Sequence, residues 1–539
     1  MSGYNELILA DLVESRAAVN PGLDVLTFEG AGVRDDEIRT YRQLWDNGRH
    51  IAGALLDTGM SKGDHFALLM QNHPEFIESM VAASITGTVF VPIDPRINKD
   101  KLVFLLRDAM CKGIICADYT LEMVIAARSR VPELEWVMVL ESEPPLNRDT
   151  ITRDLIRLRE VLNAEAPVLE KSVTDPAETM EILYTSGTTG DPKGIVIPHA
   201  RFGIAAGHGQ AIFGFNKDDR PYTGLSLTHG NAQFVTLGAS LKMGLRAVFS
   251  RKFTKSRLWD ITRQYQCTTF SLLGGMVNAI YSEPPRPDDA DNPVRFVVSA
   301  GMPALLWEAF ERRFDLKIFE FYGAVEGGLT FKRIGEGPVG SIGRPAPGLA
   351  VKIIDDEGNE CPPGVPGEIL FRPEDGSAPV VEYFNNPAAS AQKTEGGWLH
   401  SGDVVHADEQ GWLFYEYRKG GGIRHNGEFI NPGFVEKAIA EHPRVTDVYV
   451  YGVDSTSGTP GEKAVVAAIV SSNGESFDAQ SLFQFCRERL ESNFIPAFVQ
   501  IVEEIPKTVS EKPQDRYLIE MFNEQKHNVH KEEGFNDDS

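Results

Sequence analysis

The 539-residue chain reads as an α/β protein: a large N-terminal domain of parallel-rich αβ sheets with a β subdomain, joined by a hinge to a small α+β C-terminal domain. Three observations predict this. Short apolar runs alternate with helical stretches from Gly63 to Ala117, the order expected of parallel strands covered by helices. Between Gly340 and Phe371 the texture changes to short strands separated by turn residues. Finally, Gly420-Gly421-Gly422 follows Tyr417-Arg418-Lys419, and three successive glycines supply the backbone freedom of a hinge. The length also exceeds what one core fills. The N-terminal domain is therefore placed at 1–417, the hinge at 418–422 and a mobile C-terminal domain at 423–539.

The elements follow in order. Phe66-Ala67-Leu68-Leu69-Met70 predicts a buried strand, residues 74–85 a helix, Val89-Phe90-Val91-Pro92-Ile93 a strand, 99–110 a helix and 113–117 a strand. A second α/β stretch has strands at 247–249, 268–270 and 294–298, with a helix at 255–265. Residues 351–355 and 367–371, with a turn at Glu357-Gly358-Asn359, predict a hairpin. Beyond the hinge, strands are expected at 448–451 and 464–470 and a helix at 479–490. There is no internal repeat.

Composition narrows the function classes. A chain that is 42% hydrophobic and 24% charged is an ordinary globular protein. Its net charge of -24 argues against binding nucleic acid, which needs a basic face to displace counterions. Five widely spaced cysteines, Cys111, Cys116, Cys267, Cys361 and Cys486, suggest neither a disulfide framework nor a zinc site. Reduced thiols fit a cytoplasmic protein. No membrane span is expected, since no segment reaches about 18 uninterrupted apolar residues. The polar tail at 524–539 is expected to fray.

The densest chemistry lies in Tyr184-Thr185-Ser186-Gly187-Thr188-Thr189-Gly190-Asp191-Pro192-Lys193-Gly194, between the apolar runs 180–183 and 195–197. Glycines let backbone N–H groups turn toward an anion, the hydroxyls add donors and Lys193 adds charge, so the loop suits a phosphate chain. It is not a Walker A loop. Pro192 precedes the lysine, Gly194 follows it, and β-branched residues come next, so the loop is expected to join two strands.

This loop resembles the phosphate loop of the adenylate-forming superfamily, which includes acyl-CoA synthetases, peptide-synthetase adenylation domains and beetle luciferases. There it binds the β- and γ-phosphates of ATP while a carboxylate attacks the α-phosphate. The resemblance implies that Thr185, Ser186, Gly187, Thr188, Thr189, Gly190 and Lys193 bind ATP. Phe321-Tyr322-Gly323-Ala324-Val325-Glu326-Gly327 resembles the segment in which the aromatic ring lies against adenine and the glutamate holds Mg2+. It assigns Tyr322 and Gly323 to the nucleotide and Glu326 to the metal, in line with the preference of Mg2+ for one or two carboxylates plus phosphate oxygens. Val325 replaces the usual Thr, whose hydroxyl meets the α-phosphate. Ser299-Ala300-Gly301-Met302-Pro303 resembles the turn that edges the adenine and acyl pockets, with Gly301 allowing close approach. In Trp398-Leu399-His400-Ser401-Gly402-Asp403 the matching Asp accepts both ribose hydroxyls, as a carboxylate can, and Arg418 matches an arginine gripping the same nucleotide.

Residues 505–512 resemble the C-terminal segment whose last lysine, here Lys512, bridges the substrate carboxylate and the α-phosphate. Glu511 replaces the usual Gly, and Gly420 stands where the family has Asp or Lys at the hinge. After rotation about that point, Arg424 and Gly427 would line the coenzyme A tunnel. Leu225-Ser226-Leu227-Thr228-His229-Gly230-Asn231-Ala232-Gln233 resembles the His-containing segment near the acyl pocket. His229 joins Lys512 and Glu326 in the expected catalytic set, mainly shaping the pocket and thiol tunnel, and Gln233, Phe234, Gly274 and Met276 are expected pocket walls. The Asn-Ala-Gln continuation and Glu511 lean toward the carnitine/crotonobetaine-CoA ligase-like branch.

The resemblance thus implies an AMP-forming acyl-CoA synthetase using ATP, Mg2+, coenzyme A and a small-molecule carboxylic acid, and it suggests a homodimer. Two other readings stand beside it. A standalone amino-acid adenylating enzyme would need an acidic residue to receive an α-amine, and none is evident. A non-catalytic nucleotide-binding paralogue is favoured by Val325, Gly420 and Glu511 and opposed by the joint presence of Lys193, Glu326, Asp403, Arg418 and Lys512.

Overall fold

The computed structural model describes residues 3–30, 32–142, 154–185, 192–419, 423–425, 428–430, 432–454, 463–472, 477–490, 494–508 and 513–532. The chain forms two units. One comprises Met1–Ser271, Asp291–Val298 and Val380–Gln392; the other comprises Leu272–Ala290, Ser299–Pro379 and Lys393–Ser539.

In the first unit a seven-stranded sheet has the order Ile156–Arg157, Trp136–Leu140, Cys111–Ala117, His65–Leu69, Val89–Ile93, Thr179–Thr185, Lys193–Pro198. Neighbours are parallel except the last pair, so the strand–helix alternation does generate a parallel sheet. The crossover helices include Pro74–Thr86 and Lys99–Asp108. Pro74 starts its helix where no N–H is needed, and Gly87 stops it in the left-handed conformation at φ +72°. Every residue of that helix is buried, consistent with its mostly small and apolar sequence. Ala67, Leu69, Val91, Ile114, Leu102 and Leu106 share one apolar core with the facing elements. A further strand group pairs Asp24–Phe28 antiparallel with Glu37–Thr40 and parallel with Ala247–Phe249, which is followed by Pro221–Thr223.

The second unit is dominated by antiparallel pairing. Its strands run in the order Lys317–Ala324, Gly327–Lys332, Ser341–Pro345, Leu413–Arg418, Leu399–Ala407, Gly367–Pro373, Leu349–Ile354. The expected hairpin is present, with Val351 opposite Phe371. Its C-terminal part has the sheet Val445–Asp454, Lys463–Ser471, Phe498–Ile501, Val529–Lys531. Helices Pro432–Ala440 and Ala479–Arg487 contribute Val435, Ile439, Leu482 and Phe483 to its core, so the small α+β domain expected from sequence is observed. All five cysteines are free thiols. Among the described residues, no helix is long and apolar enough to cross a membrane.

Candidate active site

Strands Thr179–Thr185 and Lys193–Pro198 pair antiparallel, with Thr185 opposite Lys193. The phosphate-type loop therefore connects two adjacent strands, as its sequence required, and Lys193 stands at its mouth. A Cβ on Gly194 would lie 2.6 Å from the Ile182 side chain and 2.9 Å from the Tyr184 ring, so this position excludes a larger residue. The returning segment at 382–384 braces the second strand. Val196 N–H donates to the Glu382 carbonyl at 2.9 Å and Phe384 N–H to the Gly194 carbonyl at 2.7 Å. The Lys193 ammonium lies 5.5 Å from the Tyr383 ring centroid, a cation–π distance. Ser186, Gly187, Thr188, Thr189 and Gly190 lie outside the described residues, and only the backbone of Thr185 is described.

The strand entering the loop carries a group that the apolar reading of 180–183 passed over. Glu181 is fully buried, and the Gln233 amide donates to its Oε2 at 3.0 Å and to the Leu227 carbonyl at 2.9 Å. Burial pushes the Glu181 carboxyl up to about 8, opposed only by the Gln233 hydrogen bond. Gln233 is thus itself fully buried, and it lies in a π-helical stretch, Asn231–Gly238, a rare geometry frequent at functional sites. His229, half-buried, precedes this stretch, and its carbonyl accepts the Gln233 N–H at 3.2 Å. Phe234 meets Phe202 edge-to-face at 6.2 Å.

In the second unit, three expected nucleotide residues converge. Asp403 and Arg418 are opposite each other on adjacent strands. Arg418 Nη1 donates to both Asp403 oxygens at 3.0 and 3.1 Å, while the Tyr322 hydroxyl donates to Oδ2 at 2.6 Å. A carboxylate has about four acceptor positions, and these three contacts leave about one, on Oδ1, for a ribose hydroxyl. Burial opposes the Arg418 charge, yet Asp403 and then Glu326 more than offset it and raise its pKa. Tyr322 rises well above its ordinary value through burial and then the Asp403 charge. Its ring stacks on Phe371 with centroids 6.2 Å apart, which holds the ring plane. Gly323 follows, exposed, and Glu326 is half-buried at the turn into the next strand, where Gly327 has φ +138°.

Two further residues of this cluster were not found from sequence. Lys393 donates to the Ser401 carbonyl at 3.2 Å, two residues from Asp403. Burial lowers its pKa, with Glu326, Asp403 and Glu368 pulling the other way. Glu368 accepts the Gly402 N–H at 2.9 Å and pairs with Lys419 at 3.2 Å. Against the effect of burial, these partners hold its carboxyl below the usual range.

Gly301 adopts φ +97°, and a Cβ on Gly274 would lie 2.7 Å from the Gly301 carbonyl oxygen, so the two glycines permit a close approach. Met276 is buried in helix Gly274–Tyr281. Arg424 is described only as backbone of the strand Ile423–His425; Gly420, Gly427 and Lys512 lie outside the described residues. A half-exposed single carboxylate such as Glu326 fits Mg2+ carried largely by phosphates; among the described residues no group of three or more His, Cys, Asp or Glu side chains could hold a metal by itself.

A carboxylate–arginine–tyrosine cluster on one sheet, and a hydroxyl- and glycine-rich loop between two strands, define a nucleotide-using protein of the adenylate-forming class. The AMP-binding enzyme family model matches residues 13–376, and that for the AMP-binding enzyme C-terminal domain matches 435–512. The chain belongs to the AMP-binding enzyme family. It is 29% identical over 490 residues to a medium/long-chain-fatty-acid–CoA ligase of Mycobacterium tuberculosis, covering 90% of this chain and 92% of that protein. It is 28% identical over 484 residues to a crotonobetaine/carnitine–CoA ligase of Salmonella arizonae, covering 88% and 91%. Its fold matches an anthranilate CoA ligase solved with anthranoyl-AMP at a TM-score of 0.84, with 23% identity over 98% of this chain and 99% of that one.

Proposed function

We propose that this protein is an ATP-dependent, AMP-forming acyl-CoA ligase. The observation carrying this reading is the Asp403 carboxylate held at once by Arg418 and Tyr322, with an acceptor position left for a ribose hydroxyl beside an aromatic face suited to a base. The ligase names of the relatives support it.

In this reading Asp403 and Arg418 fix the ribose, Tyr322 lies against adenine, and Lys193 and the loop at 185–190 bind the polyphosphate. Glu326 would hold Mg2+ together with phosphate oxygens, and the ion would supply charge neutralisation there. The substrate carboxylate attacks the α-phosphorus, the bond to the β-phosphate oxygen breaks, and pyrophosphate leaves. Lys512 neutralises the oxygens that converge in this step. Coenzyme A thiol then loses its proton to solvent, its sulfur attacks the acyl carbon, the bond from that carbon to the phosphate oxygen breaks, and AMP leaves. Holding both partners removes much of the entropic barrier to each transfer. Residues 418–422 are the pivot on which the C-terminal domain exchanges Lys512 for the face bearing Arg424 and Gly427. His229 shapes the passage for the thiol, and Gln233, Phe234, Gly274 and Met276 shape the acyl site. The protein acts in the cytoplasm, as a homodimer, on a small or medium carboxylic acid.

The test is pyrophosphate release with Mg-ATP across fatty, betaine-type and aromatic acids, with and without coenzyme A, for wild type and Lys512→Ala. The ligase reading requires acid-dependent release, acyl-CoA only when coenzyme A is present, and a sharp loss in the variant. ATP binding without release for any acid would favour a non-catalytic paralogue, the reading that Val325 before Glu326 supports.

A further inference from the structure

Glu320 lies on strand Lys317–Ala324 two residues before Tyr322, so the pleat directs both side chains to the same face. It is 1% exposed, and its carboxylate faces the turn at 299–303. Oε1 accepts the Gly301 N–H at 2.6 Å and the Met302 N–H at 3.2 Å; Oε2 also receives the Met302 N–H, at 3.3 Å. Directly opposite Glu320 on the next strand is Lys332, 3% exposed. The Lys332 ammonium donates to the Pro338 carbonyl at 2.6 Å and lies 4.0 Å from the Trp307 ring centroid, and its charge is the last of the influences that favour the Glu320 carboxylate. Burial raises the Glu320 carboxyl to about 7, opposed first by the Gly301 N–H.

An acid in this place is costly unless its bonds matter, because an apolar side chain fills a buried position without desolvating a charge. The bonds have a chemical consequence. Glu320 occupies the N–H groups of Gly301 and Met302, Pro303 has none, and the Pro303 carbonyl accepts the Leu306 N–H at 3.0 Å, so what the backbone of 301–302 has left to offer a base is carbonyl oxygens. Carbonyl oxygens accept from the exocyclic amino group of adenine and repel the O6 oxygen of guanine or hypoxanthine.

We propose that Glu320 is a positioning residue that holds the 299–303 turn against Tyr322 and, by occupying its N–H groups, sets the selectivity of the nucleotide site for adenine. This rests on the adenylate-forming reading, in which that turn and Tyr322 flank the base.

The experiment is calorimetric titration of wild type, Glu320→Gln, Glu320→Leu and Glu320→Asp with AMP and with IMP. Wild type should prefer AMP. Glu320→Gln, whose amide oxygen can accept both N–H groups, should keep that preference. Glu320→Leu should narrow the AMP/IMP ratio by about tenfold, the scale of losing hydrogen bonds to a charged group. Should the leucine variant not fold, Glu320→Asp withdraws the carboxylate by one methylene, and the same narrowing is expected. It should come with faster hydrogen exchange at the Gly301 and Met302 amides, read by NMR. An unchanged ratio in a folded Leu or Asp variant overturns the proposal while leaving the ligase reading standing. Failure of wild type to bind AMP overturns both.

Discussion

Asp403 anchors two side chains, Arg418 and Tyr322, so its carboxylate fixes a guanidinium and an aromatic ring together, the pair that the proposed reading gives to ribose and adenine. Asp403→Ala leaves a half-buried guanidinium and a phenol without their acceptor, and AMP affinity should fall by about a hundredfold. Asp403→Asn retains one acceptor oxygen but turns an amide toward Arg418, so a loss of about tenfold is expected by calorimetry. Equal affinity in the Asn variant would show that charge is not what this position supplies. Lys393 offers a complementary test. Its ammonium is bonded beside Asp403 and feels Glu326 first among its carboxylates, on the side where phosphates are expected. Lys393→Met keeps the stem and removes the charge, so the KM for ATP should rise by about three- to tenfold with the KM for coenzyme A unchanged. A shift in both would mean that the substitution disturbs the domain rather than the nucleotide site. That Tyr322, Asp403 and Arg418 come together was legible in the sequence because each sits in a motif. Lys393 was not, because a lysine at the end of a short helix of small residues has the pattern of solvent-exposed surface, and it is the chain returning through 394–400 that brings Ser401 to it.

At the scale of elements, Glu181 joins the strand that enters the phosphate-type loop to the π-helical stretch after His229. A carboxyl raised to about 8 in the folded state, against an ordinary value of 4.5, is bound to its proton more tightly when folded. Its contribution is therefore complete below pH 4.5 and is lost as pH rises through 8. Glu181→Gln removes the titration, so its unfolding free energy should gain on wild type progressively over that window, by about a few kcal/mol at the alkaline end, and its melting temperature should rise relative to wild type accordingly. Parallel melting curves for the two proteins would refute this account of the pair. The strand itself was readable as an apolar run, and the lone acid inside it was the available signal. The hairpin pairing of 351 with 371 and the sheet from 65 to 117 followed from periodicity and turn residues. Helix Tyr41–Asp57 was missed although its Thr40–Gln43 capping box was present in the sequence. The π-helical geometry had no such signal, since it coincides with Gln233 being held by Glu181 and the Leu227 carbonyl, partners 52 and 6 residues away.

Across the whole molecule, a net charge of -24 faces two polyanionic ligands, ATP and coenzyme A. The total was readable from composition, but its distribution depends on which cations the fold gathers. Lys193 lies at the mouth of one hairpin, and Arg418 and Lys393 stand with Asp403 in the second unit. These local cations act over a few ångströms. At ~10 mM salt the Debye length is ~30 Å and an approaching nucleotide senses the repulsive total, whereas at ~100 mM it is ~10 Å and the near cations dominate. The association rate of ATP should therefore rise, by about two- to fivefold, as salt increases over that range, and decline only when the local contacts are screened in turn. Stopped-flow binding of a fluorescent ATP analogue across a KCl series gives the answer. A monotonic fall from the lowest salt would mean that the gathered cations already invert the field far from the surface, and that the net charge has no part in the approach of the nucleotide.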